Sequence, residues 1–264
     1  MSGIIGIVIA LAALLAGAAI EGTSLTALLS PTSALIVFGG TIGAVIISFP
    51  MEQIKKVGKV MKVAFTAKEK DLTEFIVYFK DLAFKTRKNG LLSIEGEISS
   101  DANMDPFIKK GLQMIVDGVE PQSVRSILEL EADMTSERHK EGAAIFESAG
   151  GYAPTMGIVG TVLALVNVLG HLSGSDSASL GEKISGAFIA TLFGIASANI
   201  LWLPIGSRLK AIDKAEATQK ELIIEAILFI QEGVNPNTIA EKLKGFLNKE
   251  QLAKYELIDK KVEA

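Results

Sequence analysis

The stretch Gly150-Gly-Tyr-Ala-Pro-Thr-Met-Gly-Ile-Val-Gly-Thr-Val-Leu-Ala-Leu-Val-Asn-Val-Leu-Gly170 decides the fold of this 264-residue chain. It carries no charged side chain, and a helix rising about 1.5 Å per residue needs roughly 20 apolar residues to cross about 30 Å of hydrocarbon. The stretch is therefore a membrane span, running from Gly150 to about Leu172. A second span, Ile184 to Gly206, follows after the polar loop Ser173-Gly-Ser-Asp-Ser-Ala-Ser-Leu-Gly-Glu-Lys183, and the two form a hairpin. Toward the N-terminus the pattern repeats. Gly3 to Ile20 and about Thr32 to Phe49 are apolar, closely joined, and free of charge between Glu21 and Glu52. The first segment has no basic residue before its apolar run and reads as a retained span, not a cleavable signal peptide.

Composition supports the same class. A chain that is 49% hydrophobic with mean hydropathy +0.39 is too apolar for a soluble domain of this size. Zero cysteines and two histidines exclude a disulfide framework, an iron–sulfur or thiolate zinc site and a cysteine nucleophile, and no cofactor or metal is expected. A net charge of −4 gives no general attraction to nucleic acid. Lys55, Lys56, Lys59 and Lys62 follow the second span and Arg208, Lys210 and Lys214 follow the fourth, while the short loops hold one lysine between them. Positive charge stays inside, so both termini and both large polar parts are expected on the cytoplasmic face.

The expected fold is an all-α integral membrane protein with four transmembrane helices in two hairpins. Residues 1–50 hold spans 1 and 2, 51–147 a helical cytoplasmic insertion, 148–207 spans 3 and 4, and 208–264 a helical cytoplasmic tail. Within the insertion, Leu72, Phe75, Ile76, Phe79, Leu82 and Ala83 share one helical stripe that Asn89-Gly90 would stop. A short helix is predicted from Asp105 to Asp117, closed by Gly118, and a long charged one from Pro121 to the third span. The fourth span is predicted to continue as a charged helix to about Glu232. Asn235-Pro236 would cap the next helix, leaving a charged segment beyond Lys249.

Apart from His171, assigned to the outer interface, the spans contain no ionisable residue. A complete ion path would therefore need a charge from elsewhere, because a membrane-buried charge is costly and kept for function. Gly157, Gly160, Thr161 and Ala164 fall three or four apart and form a small-residue face suited to close helix contact. Thr161 and Thr191 could equally bond their own helix carbonyls. Pro154 is placed at the start of the third span, while a helix is expected to pass through Pro204.

Three motifs carry a resemblance: Gly151-Tyr-Ala-Pro-Thr-Met-Gly-Ile-Val-Gly-Thr161, Ala187-Phe-Ile-Ala-Thr-Leu-Phe-Gly194 and Lys85-Thr-Arg-Lys-Asn-Gly-Leu-Leu-Ser-Ile-Glu95. With the four-span layout they resemble the MotA/PomA family of flagellar motor stator subunits along essentially the whole chain. The resemblance implies that Arg87 and Glu95 engage the rotor switch protein FliG. By composition each would be a solvated charge in an insertion holding 15 basic and 17 acidic residues. It further implies that Thr161 and Thr191 face the ion path and that Pro154 and Pro204 couple ion passage to motion. The partner it implies is a single-span MotB/PomB-like protein that supplies an ion-binding aspartate. A homopentamer would surround a dimer of that partner in the bacterial cytoplasmic membrane. The transported ion is expected to be H+, with Na+ as the alternative.

An ExbB/TolQ-like energiser would share the first two motifs, but it has three spans and lacks the Arg87 to Glu95 segment. A solute carrier would show a charged or discontinuous binding helix and internal symmetry. An intramembrane hydrolase would need a nucleophile and base or paired carboxylates in the spans, so no enzymatic activity is expected.

Overall fold

In hydrocarbon a helix satisfies its backbone polar groups through its own hydrogen-bond ladder, which is why the four apolar stretches fold as helices. The computed structural model describes residues 2–24, 26, 28–68, 70–170 and 177–262, and every element among them is helical. The first span is Ser2–Ile20. The second runs over Pro31–Ser48 with a π-helical turn at Leu35–Gly39. Among the described residues, four helices are long and apolar enough to cross a membrane.

The third span does not begin at Pro154. One helix runs from Pro121 to Gly170, 50 residues with Pro154 inside it. Its charged first part favours helix, and Pro154 removes only one backbone N–H, so nothing forces a break. The fourth span starts earlier than Ile184: its helix is Ser177–Ser197, then a π-helical turn Ala198–Trp202, then Leu203–Gln231. Part of the segment read as a loop is thus helix, its Glu182-Lys183 forming an early turn. His171 lies outside the described residues.

The chain divides into two units. The first comprises Met1–Ala67 and Arg138–Ile212, the second Lys68–Glu137 and Asp213–Ala264. In the first unit, the antiparallel third and fourth helices pack through small residues along a continuous line. A side chain on Gly150 would meet Leu203, one on Gly206 would meet Glu147, and one on Gly160 would meet Ala190. A short amphipathic helix, Val57–Thr66, packs Val60, Met61, Ala64 and Phe65 against Ala143, Phe146, Ile205 and Leu209.

In the second unit, the helix Leu72–Asn89 places Ile76, Phe79, Leu82 and Ala83 into a core shared with Leu112, Ile115, Leu128, Leu222, Ile223 and Ile227. Asp71 caps this helix by accepting from the Thr73 N–H at 3.0 Å. Asp105 caps Pro106–Val116 and Asn235 caps Pro236–Leu243 in the same way. The charged segment beyond Lys249 is not a loose end. It is a helix, Lys249–Val262, whose Tyr255 is fully buried. Lys80 donates to Asp259 at 2.7 Å, and Lys254 pairs with Asp71. Those lysines hold the Asp259 and Asp71 carboxyls below the usual aspartate range. Sequence periodicity could not show this docking, because its apolar anchor is the single residue Tyr255.

Candidate functional site

Two places gather the residues singled out by sequence, one in each unit. In the first, Gly157 and Gly194 let the third and fourth helices touch backbone to backbone. A Cβ on Gly194 would lie 2.5 Å from the Ala153 carbonyl oxygen and 3.1 Å from the Cα atoms of Gly157 and Pro154. A Cβ on Gly157 would lie 2.8 Å from the Ala190 carbonyl oxygen. Real side chains do not approach so closely, so both positions require glycine.

One turn beyond that crossing, Thr161 and Thr191 meet with hydroxyl oxygens 2.6 Å apart. Thr161 Oγ1 also lies 3.1 Å from the Gly157 carbonyl oxygen and 3.0 Å from that of Ala187. A hydroxyl has one proton, and both carbonyls are acceptors only, so Thr161 donates to a carbonyl and Thr191 donates to Thr161. The Thr191 oxygen then keeps its lone pairs as an acceptor. Both threonines are half-buried. Back-bonding, the plainer alternative, accounts for only part of the Thr161 contacts.

The two prolines lie on the same helix pair. Pro154 is one turn before Gly157 and touches the Gly194 position. Pro204 is the second residue after the π-helical turn Ala198–Trp202 and is exposed. It has no N–H for the carbonyl four residues back, and the widened turn accommodates that loss inside an otherwise continuous helix.

The second place is the turn after Leu72–Asn89. Gly90 has φ +83°, a conformation that suits glycine, and it leads through a 3₁₀ turn, Leu91–Ile94, into the helix Glu95–Ser100. Arg87 stands before the turn and Glu95 after it, both exposed. Thr86, Ile94 and Ile98 beside them are buried. Neither Arg87 nor Glu95 has an ion-pair partner among the described residues, whereas Lys85 and Glu97 pair across the turn at 2.9 Å. The backbone is anchored and the two opposite charges are left to solvent. Arg87 also borders a cavity of about 270 Å³ with Gly90, Leu91, Gln231 and Val234.

Known proteins resemble this chain in sequence and fold. Residues 99–222 match the MotA/TolQ/ExbB proton channel family, and residues 4–90 match the N-terminal region of motility protein A. Motility protein A of Bacillus subtilis (strain 168) is 41% identical over 93% of this chain and 90% of its own length. The chain belongs to the motility protein A (MotA) family. Another member, chemotaxis protein PomA of Vibrio alginolyticus, is 33% identical over 88% of this chain and 89% of its own. The flagellar MotAB stator complex from Bacillus subtilis contains a chain that superposes with TM-score 0.90 at 39% identity, covering 96% of this chain and 99% of that one. The function of this MotA-family chain is that of a flagellar stator subunit in a membrane, and an ExbB/TolQ-like energiser is the less supported alternative.

Sequence reasoning missed two exposed apolar residues of the charged turn. Phe84 is 49% exposed and Leu92 70% exposed, each three residues before Arg87 or Glu95. The periodic stripe used to find the buried face of Leu72–Asn89 passes over Phe84, and an exposed apolar residue beside a charge was the available signal.

Proposed function

We propose that five copies of this chain surround two copies of a single-span MotB/PomB-like protein in the bacterial cytoplasmic membrane, with both termini on the cytoplasmic side. The partner supplies the aspartate, and this chain supplies the wall against which the ion moves. The observation that carries the reading is the Thr161–Thr191 pair, two linked hydroxyls at the tightest crossing of spans whose sequence contains no carboxylate at that depth. The flagellar MotAB stator complex from Bacillus subtilis, which contains a similar chain, supports the partner.

The ion is H+ by preference over Na+. A proton arriving at the partner's aspartate removes its charge, and each elementary charge crossing about 100 mV releases roughly 2.3 kcal/mol, about four times thermal energy. The neutralised carboxyl can donate its new O–H to the Thr191 oxygen, and with its charge gone the ring advances to the next protomer. Pro154 and Pro204 give the third and fourth helices places to bend as that happens. Arg87 and Glu95 transmit the step to the rotor switch protein FliG through solvent-exposed charge contacts, which are sensitive to ionic strength. Arg87 and Glu95 need no internal partner for this, which is consistent with their exposure.

The experiment is deletion of the gene in a motile host, scoring swimming and counting filaments in the same cells. Normal filaments on paralysed cells, rescued by the gene, are expected. Undiminished swimming in a host with no second stator set would overturn the reading.

A further inference from the structure

We propose that Lys55, Lys56, Lys59 and Lys62 form a docking surface for the anionic phospholipid headgroups of the inner leaflet. This rests on the cytoplasmic orientation proposed above.

Four lysines within eight residues would need no explanation beyond the positive-inside bias if they lay on an irregular loop. They do not. The helix Val57–Thr66 is fixed at the membrane boundary by contacts within its own unit. Val57 packs against a cluster of Val45, Ile145 and Ala149 that Phe49, Tyr152 and Trp202 also border, and tyrosine and tryptophan are the residues that concentrate at headgroup level. Phe65 lies against the start of the first span, where a side chain on Gly3 would come within 3.4 Å of its ring. Arg208 donates from its Nε to the Ala64 carbonyl. The helix is thereby tied to the ends of all four spans.

At 100° per residue, Val57, Val60, Met61, Ala64 and Phe65 centre on one side, and Lys59, Lys62 and Thr66 centre on the opposite one. All four lysines are exposed, and none has an ion-pair partner among the described residues. Among the described carboxylates of this unit, Glu147 accepts from Lys210 at 2.6 Å and Glu141 from the Gln53 amide at 3.1 Å, leaving Glu52 as the one close to the lysines in sequence. Topology selection needs the number of charges only. A helix that turns Lys59 and Lys62 directly away from its buried face presents ammonium groups on flexible stems where lipid phosphates lie.

The test uses the assembled full-length complex in detergent, with bound lipid followed by native mass spectrometry and thermal unfolding during titration with phosphatidylglycerol or phosphatidylcholine. The variant K59Q/K62Q leaves Lys55 and Lys56 to hold topology. Its affinity for phosphatidylglycerol is expected to fall roughly 25-fold, at about fivefold per lysine. Phosphatidylcholine binding and a control variant, K88Q/K249Q in the other unit, are expected to stay unchanged, and glycerol phosphate is expected to give no stabilisation. Unchanged phosphatidylglycerol affinity in K59Q/K62Q would overturn the proposal, as would equal stabilisation by glycerol phosphate. Dissociation of K59Q/K62Q in phosphatidylcholine alone would also overturn it, assigning the lysines to carboxylates of a neighbouring protomer. Lipid affinity is read without ion flux or torque, so failure here is distinguishable from failure of the stator function.

Discussion

The third and fourth spans and the turn around Gly90 hold the side chains proposed to be functional by opposite means. In the spans, glycine at 157 and 194 removes every atom that could separate two backbones, and the Thr161–Thr191 contact exists only because of that approach. At the turn, buried Thr86, Ile94 and Ile98 fix the backbone while Arg87 and Glu95 touch nothing that holds them. The first region is specified by shape and the second by charge. Steric changes should therefore be ruinous in the spans and tolerated at the turn, and charge changes should act mainly on torque at the turn.

The largest effect is expected from Gly194→Val. Its side chain would collide with the Ala153 carbonyl and the Gly157 backbone, neither of which is a flexible side-chain end, costing at least the roughly 1–3 kcal/mol typical of overpacking. Immunoblotting of membranes should show little assembled complex, and swimming should be absent. A motile Gly194→Val strain would mean that the helices can separate without loss.

Next, Arg87→Glu or Glu95→Lys should abolish torque in a bead assay while leaving membrane level and assembly unchanged. Retained torque with both reversed would remove their rotor role and blur the contrast between the two regions. Thr191→Val should be milder. It removes the donor to Thr161 and the free oxygen, and losing one buried hydrogen bond costs about 1–3 kcal/mol, so ion flux should fall about tenfold or more while Thr191→Ser keeps most of it. Equal loss in the serine variant would point to packing by the methyl group instead.

The smallest effect concerns the C-terminal helix. Asp71 and Asp259 titrate below their ordinary range because Lys254 and Lys80 bond their ionised forms. A depressed carboxylate stabilises above the unfolded pKa of about 3.9 and loses that contribution as pH falls through the folded value. Protease sensitivity at the Lys249–Val262 helix should thus be flat from neutral to about pH 5 and rise below about pH 4. A rise near pH 6 would exclude these pairs as the cause.

Much of this was legible in the sequence. Uninterrupted apolar length gave the spans, and local chemistry gave the Asn235 cap, the helix start near Asp105-Pro106 and the Gly90 stop. The helix through Pro154 was not legible, since a proline near a charged-to-apolar boundary reads as a start, and only the Gly150–Leu203 and Gly157–Gly194 contacts show why continuation is favoured. The tail helix was hidden because long-range pairs, Lys80 with Asp259 and Lys254 with Asp71, hold it. The Thr161–Thr191 bond likewise joins residues 30 apart in sequence, and spacing alone carries no distance between two helices.

The central claim is that this chain shapes an ion path whose charge comes from another protein. It is tested most directly by ion flux into liposomes containing this chain alone, with the MotB-like partner, or with a partner whose span aspartate is asparagine. Flux should appear only with the unaltered partner. Flux through this chain alone, or through the asparagine complex at the same rate, would contradict the account.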